Sequence, residues 1–370
     1  MLFIALKNLL QERTKLFMSI GGVAFAVVLI ILLNGLYEGW NESMGAYPKS
    51  IPADLWVEQD GVGDMFHALS FLPNNLSDQL KQIDGVNTVH PYLGRQTLLK
   101  LNGEDTSLFI VAVDPATGFG KPKTMEDGRW EDLKDGEIII DEVFAKKQHL
   151  NIGDEIQIAE RKLKIGGISS GGNMMVFQYA FVTLNEAKEL FQLGDKVNFY
   201  VIQVAPQADQ EKIKNTIIND IPGVKVLTKQ EFVDTSRQVI KDSFLPIIYV
   251  LVIIGFIIGS AVIGVTIYSA TVEKSREYGV LKAIGVTHRQ LYAIVMFQSL
   301  VSGIIGYVVG LILAYPVARL SRYFVAGFMT EFRLIDIVWV FGATIGMALI
   351  ATYIPVRRLA SIDPAEVFKN

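Results

Sequence analysis

Four stretches of this chain are apolar for long enough to cross a hydrocarbon core of about 30 Å, which takes roughly 20 residues of helix. They run over 16–37, 244–270, 291–317 and 334–355. Leu16 to Tyr37 contains no charged side chain, and a helix suits lipid because it satisfies every backbone polar group internally. This first stretch is longer than the apolar part of a secretory leader. Asn34-Gly35-Leu36-Tyr37-Glu38 offers no small-residue cleavage motif, so the stretch reads as a retained span. Residues 1–15 set Leu2, Phe3, Leu6, Leu9 and Leu10 against Lys7, Asn8, Gln11 and Glu12 at helical spacing. That is the pattern of an amphipathic helix on the inner membrane surface, the alternative being a ragged start to the first span. Gly255-x-x-x-Gly259 and Gly306-x-x-x-Gly310 place small residues on one helix face, where two helices can approach closely. No ionisable side chain lies in the middle of a span, so the usual marker of an ion pathway or proton relay is missing.

From Glu38 to Ser243 the period shortens to β-rich runs separated by Gly, Asp and Asn, with short helices between them. Strands are predicted at Ala53–Glu58, Thr97–Leu101, Ser107–Val113, Glu137–Ile140, Glu155–Ala159, Lys162–Ile168, Ala180–Thr183 and Phe199–Val204. An Asn102-Gly103 turn makes a hairpin of two of them. Leu76 to Val89 echoes Ile213 to Val226, each reading as helix, tight glycine turn and strand. Two such units at the ends of the segment predict a split βαβ subdomain, with 114–180 as a second lobe. The fold class is therefore membrane α-helical, with four transmembrane helices, plus an α+β extracytoplasmic domain of two lobes.

Composition supports a membrane setting: of 370 residues, 51% are hydrophobic and 19% charged. A net charge of −4 with no long Lys/Arg run excludes a nucleic-acid footprint. The absence of cysteine excludes thiolate chemistry, iron–sulfur ligation and disulfides. Basic residues fix the orientation. Lys7, Arg13 and Lys15 precede the first span, Lys274, Arg276, Lys282 and Arg289 lie between the second and third, and Arg357, Arg358 and Lys369 follow the fourth. These segments, 1–15, 271–290 and 356–370, are expected in the cytoplasm, with both termini on the inner side of the membrane. Residues 38–243, with 21 Lys/Arg against 31 Asp/Glu, belong outside, as does the short loop 318–333. Arg319, Arg322 and Arg333 in that loop run against the rule, with Glu331 and Asp336 at hand to pair them.

A search for chemistry returns little. The nearest approach to a phosphate-binding loop, Gly118-Phe119-Gly120-Lys121-Pro122, lacks the glycine spacing and the hydroxyl residue that such a loop requires. Any ATP would then have to be hydrolysed by a separate protein, and the chain itself reads as no enzyme. His67, His90, His149 and His288 are scattered, without the spacing of a zinc site or triad. Asn41-Glu42-Ser43 and Asn75-Leu76-Ser77 match a glycosylation sequon, which carries no information in a bacterial protein. The informative stretch is Thr271 to Gln290, which reads as a charged cytoplasmic helix ending at Gly285. Glu273, Arg276 and Glu277 fall on neighbouring turns, and Tyr278, Leu281 and Ile284 form an apolar face able to dock in a partner's groove. An ordinary solvated loop is the bland reading.

The run EKSREYGVLKAIG, Glu273 to Gly285, resembles the coupling-helix signature of MacB/FtsX-type permeases of ABC transporters. The run PVRRLASIDPAEVF from Pro355 resembles that family's C-terminal signature, P-x-R-R-x-A-x-x-x-P-x-E. The opening Ala5-Leu6-Lys7-Asn8-Leu9 with Gly22-Val23-Ala24-Phe25-Ala26 resembles DevC- and HrtB-like members. The resemblance spans the order of elements over essentially the whole chain; the outer domain is only generically similar. It implies a homodimer of this permease on two ATPase subunits, which carry ATP and Mg, with no cofactor on this chain. It also implies ATPase coupling through Glu273, Lys274, Arg276, Glu277, Tyr278, Gly279, Leu281, Lys282 and Gly285, braced by Pro355, Arg357, Arg358 and Pro364. ATP-driven movement of the outer domain, mechanotransmission, would expel an amphipathic or hydrophobic substrate such as a haem-like compound, lipid, peptide or drug. A haem substrate in the HrtB manner would need ligands near the outer mouth, where Tyr37, Glu42, Met44 and His67 are the suitable side chains. A periplasmic adaptor or outer-membrane factor is a further partner that the family admits. The alternative is an FtsX-like regulator of a cell-wall hydrolase that transports nothing; a membrane-anchored enzyme lacks any paired acid and base.

Overall fold

The computed structural model describes residues 11–62, 70–101, 103–171, 178–324 and 328–360, so most of the predicted surface helix 1–15 lies outside the described residues. The chain forms two compact units: Met1–Glu38, Phe244–Phe324 and Thr330–Asn370 in one, Gly39–Ser243 and Val325–Met329 in the other. The first helix, α1 (Arg13–Ser50), does not end near residue 37 as the hydropathy suggests. The 13 residues after Tyr37 keep helical spacing of large side chains: Trp40, Met44 and Tyr47 are all buried. The span prediction stopped where the lipid-compatible composition stops, and the helix does not.

The second unit begins with β1 (Leu55–Gln59) and β2 (Leu72–Pro73), followed by α2 (Leu76–Lys81) and β3 (Val86–Tyr92). β4 (Gly94–Leu101), β5 (Glu104–Val113), β6 (Thr124–Asp127), β7 (Glu137–Asp141), α3 (Glu142–Gln148), β8 (Glu155–Ile158), β9 (Arg161–Ser170), β10 (Gln178–Thr183) and α4 (Leu184–Leu190) come next. It closes with β11 (Lys196–Val197), β12 (Phe199–Val204), α5 (Gln210–Asp220) and β13 (Val224–Thr228). One lobe is an antiparallel sheet of order β13-β1-β12-β3. With α2 and α5 this is the split βαβ arrangement drawn from both ends of the segment. Both echoed units turn on a left-handed glycine, Gly85 at φ 88° and Gly223 at φ 80°, a conformation that costs glycine little. Leu76, Leu80, Ile213 and Ile217 pack on Leu55, Val57, Tyr200 and Ile202. Alternate residues of the same strands, Trp56 and Phe199, face the other way, so the sheet is buried on both sides.

The second lobe is a mixed sheet of order β4-β5-β10-β7-β9-β6, with β8 paired to β9. It starts at Gly94, not at residue 114, because β5 pairs in parallel with β10 and brings β4 with it through a hairpin. Gly103 takes the left-handed turn of that hairpin at φ 84°; Asn102 lies outside the described residues. The unpredicted β6 reads Thr-Met-Glu-Asp and is mostly exposed at the sheet edge, so no alternation marks it. Buried Asn198 ties the lobes: its backbone N–H donates to Tyr92 O at 3.1 Å, its amide to Ser70 O at 2.8 Å, and its Oδ1 accepts from Gly94 N at 3.1 Å.

An aromatic seam completes this unit. Tyr47 of α1 lies 4.6 Å from Tyr179 and donates to Gly120 O at 2.7 Å. Trp56 sits 5.2 Å from Tyr92 and stacks at 3.9 Å on Phe232 of the next helix, α6 (Lys229–Glu273). Such pairs contribute about 0.5–1.5 kcal/mol each beyond buried area. α6 starts well before the predicted span at 244 because Thr228-Lys229-Gln230-Glu231 is a capping box. Glu231 N donates to Thr228 Oγ1 at 3.2 Å, and Thr228 N donates to Glu231 Oε2 at 2.7 Å.

Beyond α6 come α7 (Ser275–Ala283), α8 (His288–Phe324) and α9 (Leu334–Ala360). Arg13–Ser50, Lys241–Glu273, His288–Phe324 and Leu334–Arg357 are long and apolar enough to cross a membrane. In this first unit the two glycine motifs make close helix contacts. A Cβ on Gly306 would lie 2.6 Å from Val23 Cβ, and one on Gly310 2.7 Å from Val27 Cβ. On α6, a Cβ on Gly259 would meet Met347 Sδ at 2.9 Å and Ala26 Cβ at 3.0 Å. With little net hydrophobic drive between helices in lipid, such packing is a main source of association. At the far end, Arg333 pairs with Glu38 and, at 3.4 Å, with Asp336, while Arg322 donates to Thr330 O at 2.6 Å. The loop arginines are thereby accounted for except Arg319. Glu331 takes no part through its carboxylate; its backbone N–H reaches Gly35 O at 2.9 Å.

Two outcomes follow for stability. Gly306→Val, forced against Val23, is expected to destabilise the bundle by about 1–3 kcal/mol, read as a lower thermal midpoint in detergent. Asp141 caps α3 through Val143 N at 2.9 Å, and burial pushes its pKa up to about 6. The folded state then binds this proton more tightly than the unfolded one, so its contribution falls as pH rises from about 4 to about 6. Asp141→Asn keeps the cap acceptor. Its stability relative to the parent is expected to climb through that window and level off above it, by up to about 3 kcal/mol.

Candidate coupling site

The short α7 is built between two firm ends. Lys274 alone separates it from α6. At its other end Gly285 adopts φ 100°; Val286 N donates to Leu281 O at 3.0 Å and Gly285 N to Lys282 O at 3.1 Å. This is a Schellman cap, in which the left-handed residue is best glycine. The next helix starts at once with a reciprocal cap: Gln290 N donates to Thr287 O at 3.0 Å, and Thr287 N donates to Gln290 Oε1 at 2.9 Å. The 271–290 segment is therefore the end of α6, α7, and a capped turn into α8.

The structure divides the predicted site residues between two faces. Tyr278 and Gly279 are buried, with Tyr278 in the bundle core beside Val295 and Ile267; Leu281 and Val286 pack against that core. Arg276, Glu277, Val280, Ala283 and Ile284 are exposed, and their spacing makes one helical stripe. The predicted docking face of Tyr278, Leu281 and Ile284 is thus corrected. Tyr278 and Leu281 anchor α7 to the bundle because an aromatic and a leucine gain more from burial than from solvent. Of the three, only Ile284 points outward, joined by Val280, which sequence reasoning passed over.

Charges flank the anchor. Glu273 pairs with Lys15 of α1 at 2.5 Å, and Lys15 also reaches Glu12 at 3.1 Å. Lys274 donates to Gln11 Oε1 at 3.2 Å and lies 4.0 Å from Glu277. Lys282 is half-buried. Glu273 and Lys274 therefore hold α6 and α7 to α1, while Arg276 stays on the open stripe. From the second signature, Pro355 is buried inside α9 and Arg357 is exposed, its guanidinium 5.2 Å from the Tyr353 ring centre. Proline leaves the carbonyl of Ala351 without its helical donor; a Cβ on Gly264 of α6 would lie 3.4 Å from that oxygen. The Arg358 side chain and Pro364 lie outside the described residues.

Three of the four residues suggested for haem, Tyr37, Glu42 and Met44, are described, and all three belong to α1. Tyr37 is half-buried on α1, Glu42 pairs with Arg237 of α6, and Met44 is buried in the second unit's core. His67 lies outside the described residues. Among the described residues no group of three or more His, Asp or Glu is set to hold a metal ion.

Truncating Tyr278 to Ala is expected to cost about 3–5 kcal/mol of bundle stability, whereas Ile284→Asp on the open stripe should stay within about 0.5 kcal/mol. Thermal unfolding of the two variants side by side checks the division of faces.

Comparison with known proteins extends this reading. A family model described as FtsX-like permease C-terminal matches residues 249–364, and one described as MacB-like periplasmic core domain matches residues 16–219. An uncharacterized ABC transporter permease of Methanocaldococcus jannaschii is 25% identical over 407 residues, covering 99% of this chain and 96% of the relative. A provisionally named hemin transport system permease protein HrtB of Staphylococcus haemolyticus is 23% identical over 304 residues, covering 80% of this chain and 78% of the relative. The crystal structure of the periplasmic region of MacB from Actinobacillus actinomycetemcomitans aligns with a TM-score of 0.36 at 13% identity, covering 52% of this chain and 95% of that one.

Proposed function

The chain belongs to the MacB/FtsX family of ABC transporter permeases, and from that premise we propose that it is the membrane subunit of an ATP-driven exporter working by mechanotransmission. The observation that carries the proposal is α7, anchored inward by Tyr278 and presenting outward a stripe of Arg276, Glu277, Val280 and Ile284. A stripe mixing charge with exposed aliphatic side chains suits insertion into a protein groove. The partner is an ATPase subunit, two copies of which bind ATP and Mg and serve a homodimer of this permease; this chain binds no cofactor. Both termini and α7 lie on the cytoplasmic side of the plasma membrane, and residues 39–243 lie outside.

Closure of the ATPase pair pushes on the stripe. The push passes through Tyr278 into the core and through the capped turn into α8, while Glu273 and Lys274 pass it to α1. The substrate is amphipathic or hydrophobic, a haem-like compound, lipid, peptide or drug, because nothing in the spans marks an ionic path.

Double charge reversal, Arg276→Glu with Glu277→Arg, is expected to lower permease-stimulated ATPase activity about tenfold, equivalent to about 1.4 kcal/mol of coupling. Folding should be unaffected. The measurement is made on the complex in lipid with haem, detergent-like drugs and lipids as stimulants. Intact stimulation in the reversed variant would overturn the role of the stripe. Strong coupling with no responsive compound, together with capture of a cell-wall hydrolase by the outer domain, would favour the regulator.

A further inference from the structure

We propose that the helix bundle binds water at the end that carries α7, in a polar joint between α1, α6, α7 and α8, and that this hydrated joint is what lets α7 shift against the bundle. A cavity of about 20 Å³ lies there, lined by Lys15, Ser19, Thr266, Lys274, Gln298 and Ser302 among others, with Tyr278 beside it. Ser19 and Ser302 are essentially sealed from solvent, and so is the neighbouring Ser299. The hydroxyls of all three have no hydrogen-bond partner among the described residues. The contrast with other buried hydroxyls of the bundle is sharp. Thr266, Thr271, Thr344 and Thr352 each donate to the carbonyl one turn back, at 2.6–2.8 Å.

Close packing alone does not account for the serines. Alanine would allow the same helix approach without burying a hydroxyl. The occupant must be small, since a cavity of this size suits about one water. The lining sets two ammonium groups, Lys15 and Lys274, against the one carboxylate of Glu12, a net positive balance that disfavours a metal cation, and a phosphate group is too large. Water both donates and accepts, which is what two serine hydroxyls, an amide and an ammonium together require. A water-mediated contact can exchange partners as helices move, whereas interlocked side chains must first unlock. Placed beside Tyr278, the anchor of α7, such a contact makes the anchor movable. The water site stands on its own observations; its role in movement rests on the ATPase-coupled reading above.

The test uses the complete transporter with its ATPase subunits in lipid nanodiscs. X-ray hydroxyl-radical footprinting labels side chains beside bound water, so buried Tyr278 is expected to be labelled in the parent and to lose label in the Ser19→Ala/Ser302→Ala double variant. An unlabelled Tyr278 in the parent would show a dry joint and overturn the site. In the same variant, thermal stability is expected to hold or rise while permease-stimulated ATPase activity falls about fivefold or more. Unchanged stimulation would overturn the role in movement, and a joint fall in stability and stimulation would make the serines packing residues only. Should the parent complex show no permease-dependent ATPase activity at all, the ATPase-coupled reading fails, and footprinting still decides the water site.

Discussion

Aromatic contact holds the outer unit together. Trp56 stacked on Phe232, with Tyr92 and Phe199 at its edges, joins the start of α6 to one sheet, and Tyr47 on Tyr179 joins the end of α1 to the other. Without these rings, both sheets would present an apolar face to water. With them, the helix segments 39–50 and 229–243 become part of the domain core. Rings have few rotatable bonds, so burying them fixes position at modest entropic cost. Ring contacts of this kind leave the helix ends little room to slip against the sheets.

In the membrane-embedded unit the corresponding constraint is steric. Gly306 and Gly310 accept Val23 and Val27, and Gly259 accepts Ala26 and Met347. α1 is thus gripped from two sides by helices that have no side chain at the point of closest approach. α6 and α8 both pack closely on α1, which explains why Val23, Ala26, Val27 and Ile30 are almost fully buried in a bundle that otherwise exposes many isoleucines and valines.

Much of this was legible in the chain. The four spans follow from composition, the split βαβ lobe from the repeated helix, glycine turn and strand, and the end of α7 at Gly285 from a glycine placed where only a left-handed residue closes the helix. What was missed has physical causes. The helical extensions after Tyr37 and before Phe244 are amphipathic rather than apolar, so a hydropathy reading ends too early, although Thr228 and Glu231 spelled a helix start. The edge strand Thr124–Asp127 carries no alternation because little of it is buried. The faces of α7 were misassigned because the apolar positions were grouped by period alone. Period cannot tell whether a stripe turns toward its own bundle or away from it, and Tyr278 and Ile284 went opposite ways.

The turn between α7 and α8 has a mechanical meaning. A loop of several unpaired residues behaves as a soft spring: it lengthens at little cost and absorbs whatever load reaches it. Here the chain passes from a Schellman cap to a reciprocal Thr287–Gln290 cap with Val286 alone between Gly285 and Thr287, and most backbone polar groups of the turn are already engaged. Stretching this link means breaking hydrogen bonds before any length is gained. Its stiffness is therefore closer to that of a helix than of a tether, and any displacement of α7 would reach α8 with little of it lost as slack.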